Sequence, residues 1–268
     1  MNAFAEVPFC FALMLSLYGV EHVTNSLEFL SLRHQFHSGG AMAWRRLKPG
    51  ANLRSRAVGI LASQQSTILL LWVQLVFAFL APISLWYEMT APAPFVCGLA
   101  LLRLWHNLRF RQQRSGADTM SASIIVSAAL WSLQPNDTVL GHICLSFVAI
   151  QLALAYLGTA LAKLVSGHWR SGRHLISVFQ SGRATRPLLG RWLYDHPRIA
   201  FAATWYVISL ECVLSVAYLL SPSVTAAFAL QALAFHFFIS VVMGYRSFFW
   251  IFGAGQVASI HLAWLISK

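Results

Sequence analysis

Apolar residues run along this chain in long blocks, separated by short polar or basic stretches. About 20 apolar residues are needed for a helix to cross the hydrocarbon core of a bilayer. On that rule the pattern predicts spans near 8–31, 63–87, 93–110, 118–135, 138–165, 199–220 and 224–244. A last stretch, 247–267, is long enough to cross but contains Gly253, Gly255, Gln256 and His261. It is expected either as an eighth span or as a re-entrant segment. The fold expected is all-α: one polytopic transmembrane helical bundle of seven or eight spans over residues 1–268. After the fifth span, residues 166–197 are the most irregular part, with Gly167, Gly172, Gly182, Gly190 and Pro187. Within it Leu175, Ile176, Val178 and Phe179 are set against Arg173, His174 and Gln180. That pattern predicts a short helix lying in the membrane interface.

Composition narrows the class. Apolar residues make up 58% of the chain and charged ones 10%, where an ordinary soluble domain carries roughly 25% charged residues. This excludes a disordered chain, a collagen, a disulfide scaffold and a cytosolic enzyme. Cys10, Cys97, Cys144 and Cys212 are isolated in apolar stretches and show no metal-ligand spacing, so buried thiols are expected. No Lys or Arg precedes the first apolar run, which also carries Glu21, His22 and Glu28. It is therefore expected to remain in the mature protein rather than act as a signal peptide.

The net charge of +11, from 19 Lys/Arg against 8 Asp/Glu, first suggests an anionic partner. Position removes that reading. Arg33, Arg45, Arg46, Lys48, Arg54 and Arg56 fall in the first connection, and Arg103, Arg109, Arg111 and Arg114 in or near the third. Lys163, Arg170, Arg173, Arg183, Arg186, Arg191 and Arg198 fall in the fifth. The connections between them, at 88–94, 134–138 and 221–223, hold none. Alternation of this kind follows the positive-inside rule and places the N-terminus outside. Cations beside anionic headgroups account for the charge, so membrane lipids are the expected partners and nucleic acid is not. A cell membrane, expected to be a bacterial inner membrane, is the implied location.

Ionisable groups at membrane depth are costly and become functional candidates by default. Glu21, Asn25 and Glu28 follow one another at spacings of four and three, which aligns them on one helical stripe with His22 on an adjacent face. Hydrogen bonding between helices and a proton-handling or substrate-facing role are both open for this stripe. Glu211 and His236 lie mid-span in different helices, and a Glu211–His236 pair across them is one expectation. Gln151, His142 and His106 are weaker candidates, His106 being expected near water. Lys163 ends an apolar run that includes Tyr156 and Thr159. It either snorkels to the headgroups or, held among apolar groups, serves as a base. His168 and His174 are flanked by arginines that would repel a cation, and no metal signature is present. Asn136-Asp137-Thr138 fits a glycosylation triplet on the outer side.

The stretch Tyr156-Leu-Gly-Thr-Ala-Leu-Ala-Lys163-Leu-Val-Ser-Gly-His-Trp169-Arg-Ser-Gly172 resembles the signature of the HTTM family. These membrane domains are related to vitamin K-dependent gamma-carboxylase and include sporulation-delaying protein B-like proteins. Ser209-Leu-Glu211, Ala234-Phe-His236 and the basic element Arg111 to Asp118 resemble further family elements in the same order. The resemblance implies that Lys163 is a base toward a reduced, vitamin K-like quinone, with Glu211 and His236 helping to line its cavity. Tyr156, Trp169 and Gly172 would complete the element, while Glu21 and Asn25 are cavity candidates from the stripe above. It further implies quinol-coupled chemistry on a peptide substrate, with a partner protein. Two other classes stand beside it: a non-catalytic subunit in peptide or toxin maturation, export or immunity, and a proton-coupled or small-molecule transporter.

Overall fold

The structure, a computed structural model, describes residues 6–37, 39–43, 60–87, 89, 91–110, 116–180 and 187–268. Among these there is no strand. Eleven α-helices follow in order: α1 (Val7–Ser31), α2 (Gln64–Trp86), α3 (Ala93–Phe110), α4 (Gly116–Ser132), α5 (Thr138–Val165), α6 (Gly167–Arg170), α7 (Arg173–Gln180), α8 (Pro187–Asp195), α9 (Pro197–Leu214), α10 (Pro222–Met243) and α11 (Arg246–Ile266). Six of them, α1, α2, α5, α9, α10 and α11, are long and apolar enough to cross a membrane. The chain thus has the architecture of a helical membrane bundle. Arg45, Arg46, Lys48, Arg54, Arg56, Glu88, Arg111, Arg114, Gly182, Arg183 and Arg186 lie outside the described residues.

Helix ends follow local chemistry. Ser63 caps α2 by accepting from the Ser66 amide at 3.3 Å, and Asp137 caps α5 by accepting from the Leu140 amide at 2.9 Å. Each satisfies an amide that has no partner inside its helix. Proline opens α9 and α10, where a missing N–H costs nothing. α10 stops at Gly244, whose φ of 76° suits a glycine C-cap. The sixth predicted span ends early: α9 stops at Leu214, and Ala217–Leu219 form a 3-10 turn. In place of one short helix after α5, the chain forms three, α6 to α8.

The stretch 247–267 lies within one uninterrupted helix, α11, which is long and apolar enough to cross a membrane. Of its apolar window 67% is buried, against 22% for α10, and it packs against α1, α4, α5 and α10. The glycines that made the stretch ambiguous are packing contacts. A Cβ at Gly253 would lie 2.9 Å from Leu233, and one at Gly255 3.2 Å from Met120. Small residues let backbones approach where no hydrophobic drive separates protein from lipid.

α1 crosses α2 by a similar device. Pro82 inside α2 has no N–H, so the carbonyl four residues before it, Ala78, loses its helical partner. Gly19 of α1 covers that carbonyl, and a Cβ there would stand 2.5 Å from the Ala78 oxygen. Gly158 of α5, by contrast, faces open space. Gly19→Ala should therefore destabilise the bundle by about 1–3 kcal/mol, whereas Gly158→Ala should not. Thermal unfolding of both variants in the same detergent checks this contrast.

Candidate functional site

Tyr156, Thr159 and Lys163 recur at spacings of three and four along α5, which sets them on one face of that helix. The face meets α9, α10 and α11. Lys163 does not reach past the end of α5. Its Nζ donates to both carboxylate oxygens of Glu211 on α9, at 2.6 Å to Oε1 and 2.5 Å to Oε2. The two side chains are 12% and 8% exposed, so this is a largely desolvated ion pair. The ammonium also stands 5.2 Å from the centre of the Trp169 ring of α6, a cation–π distance. Thr159 lies within hydrogen-bond reach of the Glu211 carboxylate.

Two turns before Lys163 on α5, Tyr156 is buried and bonded twice. Its hydroxyl accepts from Gln256 Nε2 of α11 at 3.1 Å and lies 3.0 Å from His236 Nε2 of α10. The hydroxyl keeps its own proton and a second acceptor site, so either neutral tautomer of His236 satisfies the contact with Tyr156. Nδ1 is buried and meets no hydrogen-bond partner. Phe252 covers the imidazole at 4.4 Å, and Phe248 lies parallel to Phe252 at 5.5 Å.

Lys163, Glu211 and His236 therefore come together in one region, but not by the pairing expected. Glu211 and His236 do not bond to each other; each is bound through α5, by Lys163 and Tyr156. Gln231, also on α10, bonds to the Tyr206 hydroxyl of α9 at an exposed position. Trp169 belongs to the site through the ammonium. Gly172 belongs to its framework: its φ is +77°, and a Cβ there would lie 2.8 Å from the Phe201 amide of α9. Only glycine serves a left-handed turn packed this closely. Gln256 was missed because it was weighed as a flaw in a span rather than as a partner.

Glu21 and Asn25 lie elsewhere. Glu21 is buried with His22 and Ser26 on α1, Asn25 is half-buried and Glu28 is exposed. The stripe is thus turned from the one expected, with its buried face running through Glu21, His22, Ser26 and Phe29. His106, expected near water, is buried and packs edge-on to the Phe29 ring at 5.1 Å. His142 bonds to His261 at 2.9 Å, while Cys10 lies 3.6 Å from the opposite ring nitrogen of His261. Using both nitrogens in opposite directions precludes one shared ion. Among the described residues no three of His, Cys, Asp or Glu are grouped to hold a metal. A groove of about 620 Å³ at the α10–α11 turn is lined by Phe237, Arg246 and Trp250 among others and contains none of the candidate residues.

Compared with family models, curated proteins and solved structures, the chain matches none. Breaking a desolvated ion pair on one side leaves the other charge uncompensated. Lys163→Met alone should cost about 3–5 kcal/mol, and the double change Lys163→Met with Glu211→Leu should recover most of it. A double-mutant cycle on unfolding in detergent measures the difference.

Proposed function

We propose that this chain is an HTTM-like integral membrane protein whose Lys163–Glu211 pair is a proton-accepting site for a reduced quinone taken from the lipid. In this reading α3 and α4 complete eight crossings with the six long apolar helices. The helices α6 to α8 lie in the interface. The basic connections face the cytoplasm, the N-terminus faces out, and the location is a bacterial inner membrane. The protein works with a partner on a peptide substrate.

One observation carries the reading: the Lys163 amine is held by both oxygens of Glu211 instead of reaching for headgroups. A proton passed from Nζ to the carboxylate leaves both groups neutral, and the desolvation cost of two charges disappears with them. Lys163 is then a free amine able to receive another proton. Tyr156 on α5 and His236 on α10 are bonded to each other and lie within electrostatic reach of the pair. α9 and α10 are the least buried of the long helices, so lipid reaches this flank.

The surroundings fit a reduced quinone. His236 Nδ1 is a buried ring nitrogen without a hydrogen-bond partner, and the parallel rings of Phe248 and Phe252 stand beside it. Lys163, Tyr156 and His236 would hold the group, which supplies a weakly acidic hydroxyl and two reducing equivalents. Lys163 and Glu211 accept and share the proton, Tyr156 orients His236, and the phenylalanines exclude water. Purified protein in lipid, given a reduced naphthoquinone, should consume oxygen. Lys163→Ala and Glu211→Gln should each abolish the consumption, and its absence with every quinol tried would overturn the reading.

A further inference from the structure

A second polar cluster lies between α1, α2, α3 and α4, and the ion pair of α5 and α9 takes no part in it. Glu21, His22, Ser26, Gln74, Arg103 and His106 are all at least nine-tenths buried. Gln74 Nε2 donates to His22 Nδ1 at 2.6 Å, which leaves the His22 proton on Nε2, directed toward Glu21. His22 Nε2 and Glu21 Oε2 are 3.5 Å apart, too far for a good hydrogen bond. Arg103 bonds to Asp118 at 2.9 Å and is within electrostatic reach of Glu21, His22 and His106. Ser247, in the first turn of α11, lies within hydrogen-bond reach of Glu21.

Buried polar atoms in this cluster remain unsatisfied by the protein. They are Glu21 Oε2, His22 Nε2, Ser26 Oγ, Gln74 Oε1, Arg103 Nε and both ring nitrogens of His106. Each costs about 1–3 kcal/mol when left without a partner, so a concentration of this size across three helices needs a ligand. The atoms themselves constrain its chemistry. A dehydrated cation would suit Glu21, Gln74 and Ser26 but would face the Arg103 guanidinium and the His22 N–H. A bare anion would suit Arg103 but would face the Glu21 carboxylate. Water satisfies donors and acceptors together and can also carry a proton between them. The Asp118 side chain is 29% exposed at the start of α4, which gives the cluster a wet edge.

We propose that this cluster is a hydrated proton-exchange site inside the bundle, in which Glu21 takes up and releases a proton through water entering beside Asp118. Uptake turns the Glu21 carboxylate into a carboxylic acid, and release returns the proton along the same path. No electrons move. His22 and Gln74 position the acceptor oxygen, and Arg103, shared with Asp118, balances the charged state. The titratable and charged groups facing Glu21 are Tyr18 and His22 on α1, Arg103 on α3 and Asp118 on α4, while His106 faces His22 and Arg103, and Arg109 faces His106. Among the described residues, α2 brings the neutral Gln74 to His22 and α11 the neutral Ser247 to Glu21.

The site is independent of the Lys163 reading, and the Glu21 and His22 variants separate its carboxyl from that of Glu211. Infrared difference spectra of the whole protein in lipid, taken across a pH titration, should contain a buried carboxyl C=O band that titrates and shifts in D₂O. The band should be lost in Glu21→Gln and kept in Glu28→Gln. Should Glu21→Gln fail to fold, wild-type protein carrying ¹³C-labelled glutamate must shift the band, and His22→Gln must displace it. A band unaffected by these changes, or no buried carboxyl band that titrates, overturns the proposal. A band that responds to sodium at constant pH, and not to pH itself, assigns the site to a cation and overturns it as well.

Discussion

The close approach of α11 to its neighbours is the contact on which the bundle depends. A helix enclosed on most sides has neither lipid nor water to complete its polar groups, so partners must come from adjacent helices. α11 meets this demand along its whole length. Ser247 reaches toward Glu21, Gln256 donates to Tyr156, and His261 bonds to His142. These stations need short interhelical distances, and Gly253 and Gly255 provide them between the stations. A larger residue at either position would meet the ends of the Leu233 and Met120 side chains, which would have to shift.

The enclosed helix also explains why polar chemistry is gathered rather than scattered. An isolated buried polar group is costly, while one joined to others shares the cost and strengthens its neighbours. Tyr156 illustrates this by engaging α10 and α11 at once. The α1–α4 cluster follows the same logic but stops short of complete satisfaction. A network bonded throughout by its own side chains rigidifies a bundle, whereas one with spare donors and acceptors retains capacity for water or ligand. The two clusters differ in that respect: His236 Nδ1 is the open atom of the first, and several atoms are open in the second.

Helix positions were readable because twenty apolar residues in a row leave little alternative, and α3 and α5 begin and end where the pattern placed them. Ionisable candidates were readable too, since Lys163, Glu211 and His236 contrast with apolar neighbours. Their partners were not. Lys163 and Glu211 are 48 positions apart, Tyr156 and His236 80, and Tyr156 and Gln256 100, and no periodicity encodes which helix lies beside which. The α1 stripe shows the related limit. Spacings of four and three align Glu21 with Asn25 and Glu28, but helical period does not say which edge of the stripe faces inward. The neighbouring line through His22 and Ser26 proved to be the buried one. His106 was misplaced because closeness to basic residues reads as wet. In the fold Phe29 and Phe110 pack against its ring, the latter at 4.6 Å, and hold it inside the bundle.

The segment from Lys163 to Gly172 forms one geometric unit with α9. After α5 ends, Trp169 returns beneath the ammonium, and the Trp169 carbonyl accepts the Gly172 amide at 2.8 Å to close the turn. The left-handed φ of Gly172 then lets the chain lie against Ala200 and Phe201 without a side chain between. Ala200, Thr204, Ile208 and Glu211 form the buried stripe of α9, so the glycine contact fixes the foot of that stripe. Eleven residues and about 16 Å further along the helix, the same stripe presents Glu211 to Lys163. An ion pair desolvated to this degree tolerates little error in position. The turn that anchors α9 at its start therefore sets the carboxylate that binds the lysine, and the spacing of Lys, Trp and Gly is a requirement of the pair itself.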